Sequence, residues 1–61
     1  MSGKTLWPTC EINPRKEGTW GHKSYSIIME FPGLSYEEFR EKGGRSNDLQ
    51  WDVARERVKV E

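Results

Sequence analysis

The stretch Lys23-Ser24-Tyr25-Ser26-Ile27-Ile28-Met29-Glu30-Phe31 is the most apolar run in the chain, and its periodicity decides the fold. Tyr25, Ile27, Met29 and Phe31 alternate with Ser24, Ser26, Ile28 and Glu30. Alternation of period two gives a half-buried strand one apolar face. A strand is therefore expected over 23–31, covered on one side and solvated on the other. Upstream, Pro14-Arg15-Lys16-Glu17-Gly18 forms a polar turn that leads into Trp20-Gly21-His22-Lys23. A basic, glycine-containing loop with a large aromatic, fed into a rigid sheet, is how a small domain presents a binding loop.

Toward the N-terminus, Leu6, Pro8, Cys10 and Ile12 alternate with Trp7, Thr9 and Glu11, which predicts a strand over about 5–12. Pro8 has no backbone donor, so this strand is expected at a sheet edge or with a break. Asn13-Pro14 opens a loop running to about Gly21, across which the two strands would pair as a hairpin.

Toward the C-terminus, Pro32-Gly33 is a turn signal. Ser35-Tyr36-Glu37-Glu38 has the spacing of a capping box, with Leu34 and Phe39 placed as a hydrophobic staple. A helix over 36–42 follows, and Gly43-Gly44 ends it. From about residue 47 two periods compete. Ser46-Asn47-Asp48 is a helix start, yet Leu49, Trp51 and Val53 also alternate, as do Val58 and Val60. A helix over about 47–55 and a short strand near 57–60 are favoured over one bulged strand. The expected fold class is α+β. A small antiparallel sheet (strands about 5–12 and 23–31, and a third near 57–60) is covered by helix 36–42, in a single domain over 1–61.

Size limits what such a domain can do. The chain has 61 residues, and a domain this small buries only about 60% of the surface its unfolded chain exposes. One cysteine, Cys10, forms no internal disulfide, and one histidine, His22, with it cannot complete a zinc site. No cofactor or metal is expected. Three tryptophans, two tyrosines and two phenylalanines carry much of the available apolar area.

Ten basic side chains balance ten acidic ones, so the net charge is zero. Nucleic-acid binders draw affinity from excess positive charge, and a neutral chain disfavours that class. The basic side chains Lys4, Arg15, Lys16 and Lys23 nevertheless outnumber Glu11 and Glu17 within residues 1–26. Met1-Ser2-Gly3-Lys4 is not followed by the apolar run of a secretory leader, and no segment has the length of a membrane span. With a lone thiol, a cytoplasmic protein is expected.

The candidate partner-binding residues are Arg15, Lys16, Trp20, His22 and Lys23 of the loop, joined by the aromatics Trp7 and Trp51. Tryptophan and arginine are enriched at the energetic centres of protein interfaces. The same types stack on bases and pair with phosphates. His22 has no nucleophile motif beside it, and Cys10 reads as a small buried hydrophobe. Glu37, Glu38 and Glu41 are accounted for by the helix cap and dipole. Glycine-rich phosphate loops and metal-ligand spacings are absent from the sequence.

A small protein-binding domain is therefore expected, not an enzyme: an inhibitor, adaptor or accessory subunit of the kind phage and mobile elements encode. The alternatives are a nucleic-acid-binding module using the same loop, and a homodimeric structural subunit. The order Arg15, Gly18, Trp20, strand, helix is similar to that of the three-stranded, one-helix DNA-binding modules at the ends of some integrases. No site residue is carried over from that resemblance.

Overall fold

A computed structural model describes residues 4–61; Met1–Gly3, part of the leader reading, lie outside the described residues. The elements run β1 (Thr5–Pro8), α1 (Trp20–Glu30), β2 (Leu34–Ser35), α2 (Tyr36–Glu41), α3 (Ser46–Ala54) and β3 (Val58–Val60). The three strands form an antiparallel sheet in the order β2-β1-β3, with Leu6 opposite Leu34 on one side and Val60 on the other. The fold is α+β, as its sequence predicts.

The decisive stretch is helical, not extended, and this corrects the strand expected over 23–31. Gly21, Ser24, Tyr25, Ile27 and Ile28 are the buried residues of α1. Gly21, Ser24, Tyr25 and Ile28 have the i, i+3, i+4, i+7 spacing of one helix face. Two of those four are small or polar by type, so the stripe is invisible when only large apolar residues are counted. Thr19 supplies the start signal: its side chain accepts from the His22 amide, an N-cap. The loop expected to reach Gly21 therefore ends at Thr19, and there is no hairpin between 5–12 and 23–31. The order arginine, glycine, tryptophan, strand does not hold either, because Trp20 opens a helix.

The other corrections concern β1. Only Thr5–Pro8 of the expected 5–12 is a strand, and β1 is central, not an edge. Thr5, Trp7 and Thr9 form the backbone bonds toward β3, through Glu61, Lys59 and Arg57. Leu6 and Pro8 face β2 instead, and β2 is too short to reach Pro8. Proline thus sits in a central strand without costing a ladder bond. Pro32-Gly33 leads into β2, a two-residue strand that the sequence reading passes over.

Of the expected helices, 36–42 is α2, and the segment from about 47 is the helix α3 followed by the strand β3. The capping box is present in full: the Glu38 amide donates to Ser35 Oγ and the Ser35 amide to Glu38 Oε1. After α2 the Gly44 amide donates to the Phe39 carbonyl and the Gly43 amide to Arg40, a Schellman motif with Gly43 at φ 100°. Gly44 is glycine for a different reason: the Phe39 ring occupies the place a Cβ would take.

The core is Leu6, Tyr25, Ile27, Ile28, Leu34, Phe39, Leu49 and Val58. Every element except the connecting loops contributes to it. Helix α1 lies at the centre, against β1, α2 and α3, so the sheet is covered by more than the helix 36–42 expected to cover it. Among the described residues no helix is long and apolar enough to cross a membrane.

Candidate functional site

Arg15 leaves the exposed set. Its guanidinium is drawn between α1 and α3, with Nη1 2.8 Å from Asp52 Oδ1 and Nη2 3.5 Å from Asp48 Oδ1. It lies across Gly21, whose hydrogen makes room for it; any side chain there would overlap the guanidinium. Asn13 fastens the same loop, donating to the His22 carbonyl and Ser26 Oγ while its Oδ1 accepts from the Arg15 amide. The cost of burying Asp52, only 1% exposed, is offset in part by Arg15 and by Arg57 at 3.9 Å, and its Oδ2 has no hydrogen-bond partner among the described residues. Burial pushes the Asp52 carboxyl above its ordinary range, against the opposing pull of Arg15 and Arg57.

This ion pair decides what α3 shows to solvent. Leu49 and Asp52 are buried and Asp48 is half-buried. Asn47, Gln50, Trp51 and Ala54 are exposed, spaced i, i+3, i+4, i+7. Both acids of α3 are therefore turned inward and answered by arginine, while its outer face carries amides, an indole and a methyl. At the end of this face Arg55 stacks on Trp51, with its guanidinium carbon 3.4 Å from the ring centroid.

A basic cluster adjoins the start of α3. Trp20 is 58% exposed, with Lys23 Nζ 5.1 Å and Arg45 Cζ 5.4 Å from its ring centroid. Arg45 is the N-cap residue of α3, and its amide donates to Ser24 Oγ, which fixes the α2–α3 turn to α1. Lys42, in the same turn, lies 4.2 Å from the centroid of Phe31. Gly18, Thr19, Trp20, His22 and Lys23 line a surface cleft at this end of α1.

The structure thus brings Trp20, His22 and Lys23 together, and exposed Lys16 joins them through its carbonyl, which accepts from Thr19 Oγ1. It places Trp51 on the outer face of α3. Trp7 stands apart on the sheet, where its indole donates to Thr5 Oγ1. Arg45, Lys42, Asn47 and Gln50 were not singled out by sequence, although the glycine pair followed by a helix start was the available signal. Cys10 is half-buried and packs against the core, its amide donating to the Tyr25 hydroxyl. Among the described residues no group of three or more His, Cys, Asp or Glu is placed to hold a metal ion. Comparison with protein-family models, with curated proteins and with solved structures gave no match.

Proposed function

We propose that this chain is a nucleic-acid-binding module, with α2, the turn Lys42–Arg45 and α3 acting as a helix-turn-helix. The observation that carries this is the outer face of α3. Two helices joined by a four-residue, glycine-containing turn match the motif in length and composition. In that motif the second helix faces the ligand, and acids on its outer face would repel phosphates. Here Asp48 and Asp52 are turned inward, and Lys42, Arg45 and Lys23 flank the helix start. Exposed Trp20 adds a surface on which a base or sugar can stack.

The neutral chain implies that the sequence-independent part of the affinity is small and strongly salt-dependent. Fluorescence anisotropy with a labelled duplex of about 20 base pairs tests this. Three phosphate contacts predict roughly a 40-fold loss of affinity between about 50 and 200 mM salt. Replacing Lys23, Lys42 and Arg45 together by alanine should remove most of that dependence. No binding at the lower salt would refute the proposal.

A second reading, the protein-binding domain expected from the sequence, is favoured by the 58% exposure of Trp20 beside Arg45. It takes precedence if duplex binding is absent and Trp20→Ala, still folded by circular dichroism, loses capture of a specific cellular protein. Both readings are of a binder, not an enzyme.

A further inference from the structure

We propose that α3 reads base edges in the major groove of duplex DNA, with Asn47 and Gln50 giving a preference for adenine. This rests on the nucleic-acid reading above and commits it to one ligand and one chemistry. A helix with its side chains is about 10–12 Å across, which suits a major groove about 12 Å wide. The deep, narrow major groove of duplex RNA does not admit it.

The outer face of α3 then specifies which bases are read. An amide side chain presents one donor and one acceptor together, which matches the N6 and N7 of adenine. Asn47 and Gln50 are neighbours on one exposed face. Ala54 continues that face with a methyl suited to contact thymine methyl groups. Three further base readers, Asp48, Asp52 and Arg55, are engaged within the fold. Asp48 and Asp52, which would accept from cytosine, are held inward by Arg15. Arg55, which would reach guanine, lies flat on Trp51. The nine residues of α3 span about 13 Å, or about four base pairs.

Selection of full-length chain against duplexes with a randomised core tests this. The expected result is enrichment of A·T pairs over a window of about four. Asn47→Ala and Gln50→Ala should each weaken the selected site by about 5- to 100-fold, leaving binding to unselected duplex within about twofold. Both residues are exposed, so circular dichroism should show an unchanged fold. Unaltered base selection in both variants, or duplex binding without selection, overturns this inference alone. Preference for single-stranded RNA overturns the groove assignment and leaves the nucleic-acid reading standing. Absence of any nucleic-acid binding at low salt overturns both.

Discussion

Glu56 has φ 61°, the only positive value among the described residues other than glycine. It occupies the C′ position after α3: its amide donates to Val53 and the Arg57 amide to Asp52, the same Schellman pattern that Gly43 and Gly44 make after α2. The left-handed region costs an ordinary side chain about 1–2 kcal/mol. The side chain of Glu56 is exposed, and its carbonyl is what the fold uses, accepting from Thr9 Oγ1. Glu56→Gly should stabilise the chain by about 0.5–1 kcal/mol, the larger freedom of glycine when unfolded taking back part of the gain. A urea midpoint that does not rise, at unchanged slope, would contradict this. The turn was legible at Gly43-Gly44 because the sequence supplies the residue that the conformation favours. It was not legible at Glu56, where tertiary contacts impose the conformation on a residue that resists it.

At the scale of elements, α2 was readable and α1 was not, and the difference is physical. Helix α2 declares itself locally, through Ser35, Glu38 and the glycine pair. Part of the buried face of α1 must be small or polar because of what lies against it: Gly21 beneath the Arg15 guanidinium, and Ser24 accepting from the Arg45 amide. Those residues do not look like core, and the large ones left over happen to alternate. Thr19, the N-cap, is the one local signal that the sequence carries for this helix. Thr19→Ala should cost about 1 kcal/mol, because the His22 amide loses its acceptor. A strand over 23–31 would make the same substitution nearly silent, so equilibrium denaturation of this variant tests the helix in solution.

For the molecule as a whole, the Arg15–Asp52 pair ties the long loop to both α1 and α3. Asp52 holds its proton to a higher pH in the folded chain than in the unfolded one, because burial outweighs its partners. Stability gained this way is complete below the ordinary carboxylate value and is lost as pH rises through the raised one. Asp52→Asn removes the titration. The stability of the natural chain relative to that variant should therefore fall as pH rises above the ordinary carboxylate range, about 4. A difference that stays constant as pH rises would show that Arg15 fully compensates the burial. The same pair is why the candidate site moved. Arg15 was expected at the partner surface, and in the fold it neutralises the acids of α3 and so frees that helix's outer face.

The sequence by itself determined the α+β class, the helix 36–42 with both of its ends, the helix-then-strand order after residue 46, and the clustering of Trp20, His22 and Lys23. Each of these rests on neighbours within four or five residues. Tertiary structure alone decided that 20–30 is a helix, that β1 lies at the centre of the sheet, and that Arg15 points inward while Asn47 and Gln50 point out. Those outcomes depend on partners far apart in the chain, such as Arg15 with Asp52 and Thr5 with Glu61. Whether a glycine or serine belongs to a core, or an arginine to a surface, is fixed by what the fold brings against it.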